Sequence, residues 1–210
     1  MKVVPRIGTE RKEERRQQIL EAAWRCAARS GFRDITVDDV CAEAELSKGA
    51  FYGYFAQKDD LLLALFDHDA QDLDQAMVEL EVREPDGRER LRLFTQAVLA
   101  RSDDPARVQV RADMWTRMLT EEEVRAAFRA IVQSRRQRLR AWIEEAVAAG
   151  ELVDIPANAF ASILLALSDG LLLHGRVDPG AFRWVNIRKA LGFLLEGLEP
   201  VGSGAVKGSE

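Results

Sequence analysis

The chain has little sulfur or imidazole chemistry. Of its 210 residues only two are cysteine and two are histidine. Two cysteines exclude a disulfide framework and fit a reducing compartment, so the sequence predicts a cytoplasmic protein. His68 and Asp72 stand four residues apart, which suits two metal ligands on one helix, but no third ligand lies at a matching spacing. The sequence therefore predicts no metal site.

Long hydrophobic runs and targeting signals are also missing. The opening "MKVVPRIGTERKEERRQQIL" carries charges but lacks the apolar region of a secretory signal. The longest near-continuous apolar run, "ASILLALSDGLLL", has 13 residues and is interrupted by Ser168, Asp169 and Gly170. This run is too short and too polar to span a bilayer, so no membrane partner is predicted.

Recognisable catalytic motifs are absent. The sequence has no P-loop, no G-x-G-x-x-G, no G-x-S-x-G and no cysteine with a plausible catalytic partner. We therefore expect neither an enzyme nor a cofactor. Two alternatives stay open: a helical adaptor for protein partners, and a ligand-binding enzyme whose catalytic residues are not recognisable. Cys26 and Cys41 are expected to pack as small hydrophobic side chains, with a thiol redox switch as the alternative.

Charge is abundant and unevenly distributed. The whole chain has a net charge of −5, yet residues 1–58 carry 11 Lys and Arg against 9 Asp and Glu. The remaining residues carry 19 against 26. Because the local field governs association, this segregation supports a nucleic-acid partner for the N-terminal segment. A basic tail is equally typical of a solvated surface. The basic residues of the opening segment are Lys2, Arg6, Arg11, Lys12, Arg15 and Arg16.

Helical periodicity dominates, and no convincing alternating strand pattern is present. The helix signals are Gly31, Thr36 with Asp39, Ser47, Asp104 before Pro105, and Thr120 with Glu123. They predict an all-α chain with helices over 10–30, 37–44, 48–55, 58–82, 87–101, from 105, over 120–150 and 156–175, and a last one ending near 198.

Two short helices within residues 37–55 have the dimensions of a helix-turn-helix. The major groove of B-DNA admits one α-helix and presents readable base edges, so the second helix is a candidate for DNA recognition. A helical corner with surface tyrosines is the alternative. The predicted buried side consists of Val37, Val40, Cys41, Ala44, Leu46, Phe51 and Phe55, packed on Ile19, Ala23, Ala27 and Phe32.

The opposite face carries groups suited to DNA. Lys48 can donate to a guanine edge or a phosphate, and the small residues beside it keep the helix slim. The tyrosine hydroxyls can reach phosphates, as can Lys58 at the start of the next helix, and Thr36 can combine capping with a phosphate contact. The candidate DNA-contact residues are Thr36, Ser47, Lys48, Gly49, Ala50, Tyr52, Gly53, Tyr54 and Lys58.

The segment "ITVDDVCAEAELSKGAFYGYFAQKDDLLLAL" resembles the DNA-binding segment of the TetR family of transcriptional regulators. The matching features are Thr36, the S-K-G-x-x-Y string that begins at Ser47, the pair Tyr54–Phe55, and Lys58 before a leucine-rich helix. The resemblance covers residues 11–65. It implies a homodimer with an N-terminal DNA-binding domain of three helices and a C-terminal domain for ligand sensing and dimerisation.

The resemblance sets the expected organisation and function. The expected fold is all-α, with a helix-turn-helix domain over 1–58, including a flexible basic arm over 1–10. A helical ligand-binding and dimerisation domain over 59–200 follows, and a disordered tail over 201–210. The expected function is a ligand-responsive regulator of double-stranded DNA, a repressor released from a palindromic operator by a small apolar or aromatic molecule. Activation instead of repression stays open.

Two positions depart from the family pattern. Glu45 stands where the turn usually has glycine, and a non-glycine residue in a left-handed conformation costs about 1 kcal/mol. Gly53 replaces a residue that is often larger, so one DNA contact is expected to be missing.

The C-terminal helices supply candidate ligand and dimer contacts. The helix over 156–175 is apolar nearly all round, which predicts burial on two sides. A second subunit or the monomer's own core are the two ways to bury it. Asp169 is a candidate for a ligand or for an arginine across the dimer. The candidate ligand residues are Phe66, Phe94, Arg111, Met114, Trp115, Met118, Asp169 and His174. The candidate dimer residues are Leu165, Leu172, Trp184, Ile187, Leu191 and Leu194.

Overall fold

The structure, a computed structural model, describes residues 7–101 and 104–200. Within those residues every regular element is an α-helix, which confirms the predicted all-α class. The helices are α1 Ile7–Ser30, α2 Val37–Glu43, α3 Lys48–Tyr52, α4 Lys58–Arg83, α5 Gly87–Arg101, α6 Pro105–Thr120, α7 Glu122–Ala148, α8 Ala157–Val177 and α9 Trp184–Glu196.

The predicted arm and tail fall mostly outside this description. Residues 1–6 of the arm and the whole tail over 201–210 lie outside the described residues. Helix α1 begins at Ile7, three residues before the predicted start, so its first residues overlap the arm.

Capping residues begin the helices where the sequence predicts, with one exception. Thr36 and Asp39 form the reciprocal capping box of α2, and the side chains of Ser47 and Asp104 accept backbone N–H bonds at the starts of α3 and α6. The predicted box of Thr120 with Glu123 is wrong. Thr120 is the last residue of α6, and its hydroxyl donates back to the carbonyl oxygen of Thr116 at 3.1 Å. The extended position before α7 belongs to Glu121.

The chain forms two compact units. Unit one comprises residues up to Asp69 together with Asp104–Val124, and unit two comprises Ala70–Asp103 with the residues from Arg125 onward. Helix α4 therefore contributes residues to both. The predicted domain boundary after residue 58 coincides with the start of α4 and stays a prediction.

Unit one is built on α1, which packs against α2 and α6. Its apolar face is fully covered, because apolar side chains at helical spacing remove their surface from water only against a neighbour. The largest fully buried side chains of this unit are Ile19, Leu20, Phe51, Leu61, Leu65 and Met114.

Unit two is organised around Trp142 on α7, which is 1% exposed. Its indole N–H donates to Glu81 Oε1 at 2.9 Å, and the ring of Phe94 meets it edge to face at 6.1 Å. Gly87 opens α5 against this region: a Cβ there would lie 2.8 Å from the carbonyl oxygen of Trp142. The surrounding core consists of Leu73, Met77, Leu91, Phe94, Leu139, Ile143, Ala146, Leu152, Ala161 and Leu164.

Helix α8 is long and apolar enough, by length and composition alone, to cross a membrane. Its best 18-residue window has a mean hydropathy of 1.4 and is 17% buried. The C-terminal helices therefore present much apolar surface in the single chain. The exposed apolar side chains of α8 and α9 are Ile163, Leu173, Val177, Val185, Phe193 and Leu194.

Candidate nucleic-acid interface

The turn between α2 and α3 holds the two helices in register. Glu45 has φ of 53°, the left-handed conformation expected for this position. The N–H of Leu46 then donates to the carbonyl oxygen of Cys41 at 2.9 Å, which closes the end of α2. Residues 44–47 thus reverse the chain within one tight turn, as a helix-turn-helix requires.

Helix α3 is only five residues long, Lys48–Tyr52, and Phe51 is the residue that it buries. The ring of Phe51 is 0% exposed and packs at 5.6 Å from the ring of Phe55. With Phe51 directed into unit one, the positions around it on the helix point outward. Ser47, Lys48, Gly49, Tyr52 and Gly53 are exposed, and Ala50 and Tyr54 are half-buried.

Helix α1 fixes the position of α2 through polar contacts that the sequence patterns did not reveal. Gln18 donates to the carbonyl oxygen of Ala44 at 2.8 Å. Arg25 and Arg29 both donate to the carboxylate of Glu43, at 2.7 and 2.6 Å. These two hydrogen bonds hold the pKa of Glu43 below its usual value. The contacts join positions 14 to 26 residues apart, so no local motif signals them.

Lys48 is the one cation of α3 and is already paired. Its Nζ lies 2.8 Å from Oδ1 of Asp38 on α2, and both side chains are well exposed. The hydrogen bond to Asp38 raises the pKa of Lys48, so the ammonium stays charged. Asp38 was missed at the level of sequence, because only the crossing of α2 over α3 brings the two residues together.

Ser47 and Tyr52 frame Lys48 with hydroxyl groups. The Ser47 oxygen accepts the N–H of Ala50 at 3.1 Å, which leaves its own proton for a partner outside the helix. Tyr52 is 53% exposed, and its ring rests edge to face on Phe51 at 5.4 Å. The result is a narrow surface with one ammonium and two hydroxyls at its rim and small residues between them.

Thr36 and Lys58 are engaged within the chain. The hydroxyl of Thr36 donates its only proton to Asp39 at 2.7 Å, so it offers a phosphate no donor while the capping box holds. Lys58 Nζ donates to the carbonyl oxygen of Arg33 at 2.9 Å and lies 5.1 Å from the ring centre of Phe32. A phosphate would meet Lys58 through its remaining protons.

Family comparisons decide what this arrangement belongs to. Residues 19–65 match the family model of bacterial regulatory proteins of the tetR family, and residues 87–198 match that of the C-terminal domain of BetI-type transcriptional repressors. The second match covers more than half of the chain. The chain belongs to the TetR family. It is a ligand-responsive, DNA-binding transcriptional regulator, and the resemblance seen in the sequence is confirmed.

Individual relatives agree with the family models. The transcriptional regulator BetI of Burkholderia ambifaria is 32% identical over 183 residues, covering 84% of this chain and 89% of the relative. The regulator PksA of Bacillus subtilis is 26% identical, covering 80% and 81%. A crystal structure of a Saccharomonospora viridis protein in complex with choline superposes with a TM-score of 0.78 at 25% identity, covering 88% and 96%.

The candidate ligand residues of this TetR-family chain are divided between the two units. Phe66, Arg111, Met114, Trp115 and Met118 belong to unit one, where Arg111 lies 3.7 Å from Asp69 and Trp115 is 43% exposed. Phe94, Asp169 and His174 belong to unit two. His174 is exposed and stacks on Phe182 at 6.3 Å.

Unit two contains a small apolar cavity beside Phe94. It measures about 20 Å³ and lies between α5, α8 and α9. Phe94 is the one candidate ligand residue among its lining side chains, and Ser168 supplies a hydroxyl. The lining residues are Phe94, Thr95, Val98, Leu99, Leu164, Leu167, Ser168, Leu171 and Leu191.

The remaining candidates for chemistry are the cysteines and histidines. Cys26 and Cys41 are buried, and burial raises the pKa of both thiols, which disfavours the reactive thiolate. In the part of the chain that the structure describes, no three His, Cys, Asp or Glu side chains are grouped so as to hold a metal ion.

Proposed function

We propose that this TetR-family regulator is a homodimeric repressor that acts in the cytoplasm and binds a palindromic duplex through α3. The observation that carries the proposal is the exposed, slender surface of α3, where Lys48 and Tyr52 project beside Gly49 and Gly53. A helix of this width enters the major groove without displacing the backbone. The match of residues 87–198 to BetI-type repressors supports repression over activation.

The proposed contacts divide into two groups by chemistry. Lys48 reads a guanine edge or binds a phosphate, while the hydroxyls of Ser47, Tyr52 and Tyr54 bind phosphates. Lys58 and Thr36 flank this group at the starts of α4 and α2. Gly49, Ala50 and Gly53 allow the backbone of α3 to approach the bases.

The proposed dimer covers the apolar surface of α8 and α9. Six large apolar side chains are exposed there, and a four-helix arrangement with a second copy would bury them. Of the candidate dimer residues, Leu194 is 65% exposed, whereas Leu172 and Leu191 are 9% exposed and already pack within the chain. The polar group Ser168, Asp169 and Gly170 in the middle of α8 favours a protein partner over lipid.

The proposed effector binds in unit two, next to Phe94. No charged side chain lines the cavity there, which favours a small apolar or aromatic molecule. A volume of about 20 Å³ admits little more than a water molecule, so binding requires α5 and α8 to separate. The relative solved with choline makes that cation the principal alternative effector.

Release from DNA follows from the spacing of the two copies of α3. A dimer reads two half-sites about 34–36 Å apart, one turn of the duplex. Helix α4 runs from unit one into unit two, where its residues Leu73 and Met77 share a core with Phe94. A ligand beside Phe94 that displaces α4 therefore changes this separation. A ligand that binds the dimer about 3 kcal/mol more tightly when the two copies of α3 are too far apart for the operator weakens operator binding more than a hundredfold.

The deciding experiment selects bound duplexes from a random library and measures Lys48→Ala on the selected sequence. If Lys48 reads a base, affinity falls by about 1–3 kcal/mol and one position loses its preference. If Lys48 binds a phosphate, affinity falls equally for all sequences, and the slope of log affinity against log salt concentration becomes smaller by about one.

Arg83→Ala is the control, because it removes one positive charge from an exposed position at the end of α4, outside α3 and outside the proposed dimer surface of α8 and α9. Equal binding by wild type and Lys48→Ala would remove Lys48 from the interface. Choline and a neutral aromatic compound are then added separately to the bound complex. The compound that releases the duplex identifies the chemical class of the effector.

A further inference from the structure

Unit one holds an open cleft of about 280 Å³ between α1, α4 and α6. None of the candidate ligand residues lines it. Leu20, Leu65 and Trp24 form its apolar wall, and Gln17, His68 and Arg107 stand along its polar side. The volume lies just below the range of typical ligand sites, about 300–1,000 Å³, and suits one or two fused rings.

The apolar wall is held in a fixed orientation. Leu20 and Leu65 are 2% and 1% exposed, so the floor of the cleft cannot shift without disturbing the core. Trp24 donates its indole N–H to Oδ2 of Asp104 at 3.3 Å, and the guanidinium carbon of Arg107 lies 5.2 Å from the ring centre. The indole is therefore positioned in advance, which lowers the entropy cost of placing a flat ligand against it.

The polar side offers a hydrogen-bond acceptor. Nε2 of Gln17 lies 3.1 Å from Nε2 of His68 and 3.3 Å from Oε1 of Glu21. When the carboxamide donates both protons, His68 accepts through Nε2, and the carbonyl oxygen of Gln17 is left over. Among the described residues no donor bonds that oxygen. A ligand with an N–H or O–H group can therefore donate a hydrogen bond to this oxygen.

The charged side chains that line the cleft are already engaged. Arg25 pairs with Glu43, and Arg107 pairs with Asp69 and Asp104. Glu21 accepts a hydrogen bond from Gln17. A ligand carrying net charge would have to displace one of these partners and would lose its hydration, so a neutral ligand is favoured.

We propose that this cleft is a binding site for a small uncharged aromatic molecule with a ring N–H or hydroxyl group. Its ring lies on Trp24, Leu20 and Leu65, and its donor bonds the carbonyl oxygen of Gln17. The site adjoins α1, whose Gln18 and Arg25 hold the end of α2. It is separate from the cavity beside Phe94, and its test requires no DNA.

The test uses the full chain labelled with 5-fluorotryptophan and titrated with indole. The chain has four tryptophans, whose fluorine signals are assigned by single Trp→Phe substitutions. Indole is expected to shift the Trp24 signal saturably. Gln17→Leu is expected to weaken indole at least fivefold, because it keeps the size of the side chain and removes the acceptor.

Gln75→Leu is the matched control. Gln75 makes the same i,i+4 bond to a glutamate, to Glu79 at 3.4 Å, on exposed α4 outside the cleft. Its substitution should leave the indole affinity unchanged. The proposal is overturned if all four signals drift together without saturation, if Gln17→Leu binds indole like wild type, or if benzoate or choline occupies the Trp24 site more tightly than indole.

Discussion

At the scale of single residues, Glu45 is the strained position of the recognition motif. Among the described residues it is the one non-glycine residue with positive φ, at 53°. Glu45→Gly should raise the urea midpoint, because the free energy of unfolding should increase by about 0.5–1 kcal/mol. The relief of the left-handed conformation exceeds the added freedom of glycine in the unfolded chain.

Glu45→Gln separates conformation from charge. Glu45→Gln keeps the strained backbone, so its stability should stay close to that of wild type. Both Glu45→Gln and Glu45→Gly remove the negative charge, so both should bind DNA more tightly than wild type. Equal midpoints for wild type and Glu45→Gly would show that the turn accommodates the side chain without strain.

Asp38 sets how available Lys48 is to DNA. The ion pair at 2.8 Å must open or be shared when Lys48 meets a base or phosphate, and the carboxylate itself repels the backbone of the duplex. Asp38→Asn should therefore bind the selected duplex about two- to fivefold more tightly, because an exposed ion pair is weak and is screened by water. Fluorescence anisotropy measures this, and Asp34→Asn, an exposed acid outside the pair, serves as control. A weaker complex would mean that Asp38 orients Lys48 for binding.

At the scale of elements, α2 depends on an ionised capping box. The hydrogen bond from the Thr36 hydroxyl is the main cause that lowers the pKa of Asp39 from its ordinary 3.8. A carboxyl whose pKa is lowered by folding stabilises the fold above its unfolded pKa and loses that contribution as the pH falls through the folded value. Thr36→Ala should cost about 1 kcal/mol at neutral pH, with a smaller deficit below about pH 4.

Urea midpoints of both proteins between pH 3 and pH 8 measure this deficit. Thr120→Ala is the control, because its hydroxyl bonds a backbone carbonyl and no carboxylate. A Thr36→Ala deficit that stays constant into acid would separate the cap from the ionisation of Asp39.

The element bounds show what local sequence determines. Thr36, Ser47 and Asp104 cap their helices as predicted, because each satisfies backbone N–H groups within four residues of itself. Thr120 has the same motif and fails, since α6 continues through it and its hydroxyl returns to Thr116. The same motif fits the end of one helix and the start of the next, and tertiary packing determines which of the two it forms.

The candidate interface divides in the same way. The outward face of α3 followed from the period of its apolar residues, which puts Phe51 inside. The partners of the outward groups did not follow from it. Asp38 reaches Lys48 from α2, and Phe32 and Arg33 reach Lys58 from the turn between α1 and α2, so only the tertiary fold brings them together. Side-chain periodicity gives direction, whereas pairing needs the tertiary fold.

At the scale of the whole molecule, the exposed apolar surface of α9 should decide the oligomeric state. Leu194→Lys introduces a charge into a face that we propose is buried between two copies. It should raise the dimer dissociation constant roughly a hundredfold, about 2.7 kcal/mol. Sedimentation velocity across a concentration series measures the shift.

Val82→Lys provides the comparison, because Val82 is 83% exposed on α4 and is not part of the proposed dimer surface of α8 and α9. It should sediment as wild type does. If Leu194→Lys also stays dimeric at wild-type concentrations, the subunits associate through another surface.

The brevity of α3 has a consequence for how this regulator can diversify. Five residues are far fewer than the 12–15 that a free helix needs in water, so a synthetic copy of α3 would be unstructured. Within the protein, the cap of Ser47 and the burial of Phe51 hold the helix, so folding constrains its exposed positions little. The regulator can therefore acquire new operator sequences through substitutions at the exposed positions of α3, while the rest of the fold stays unchanged.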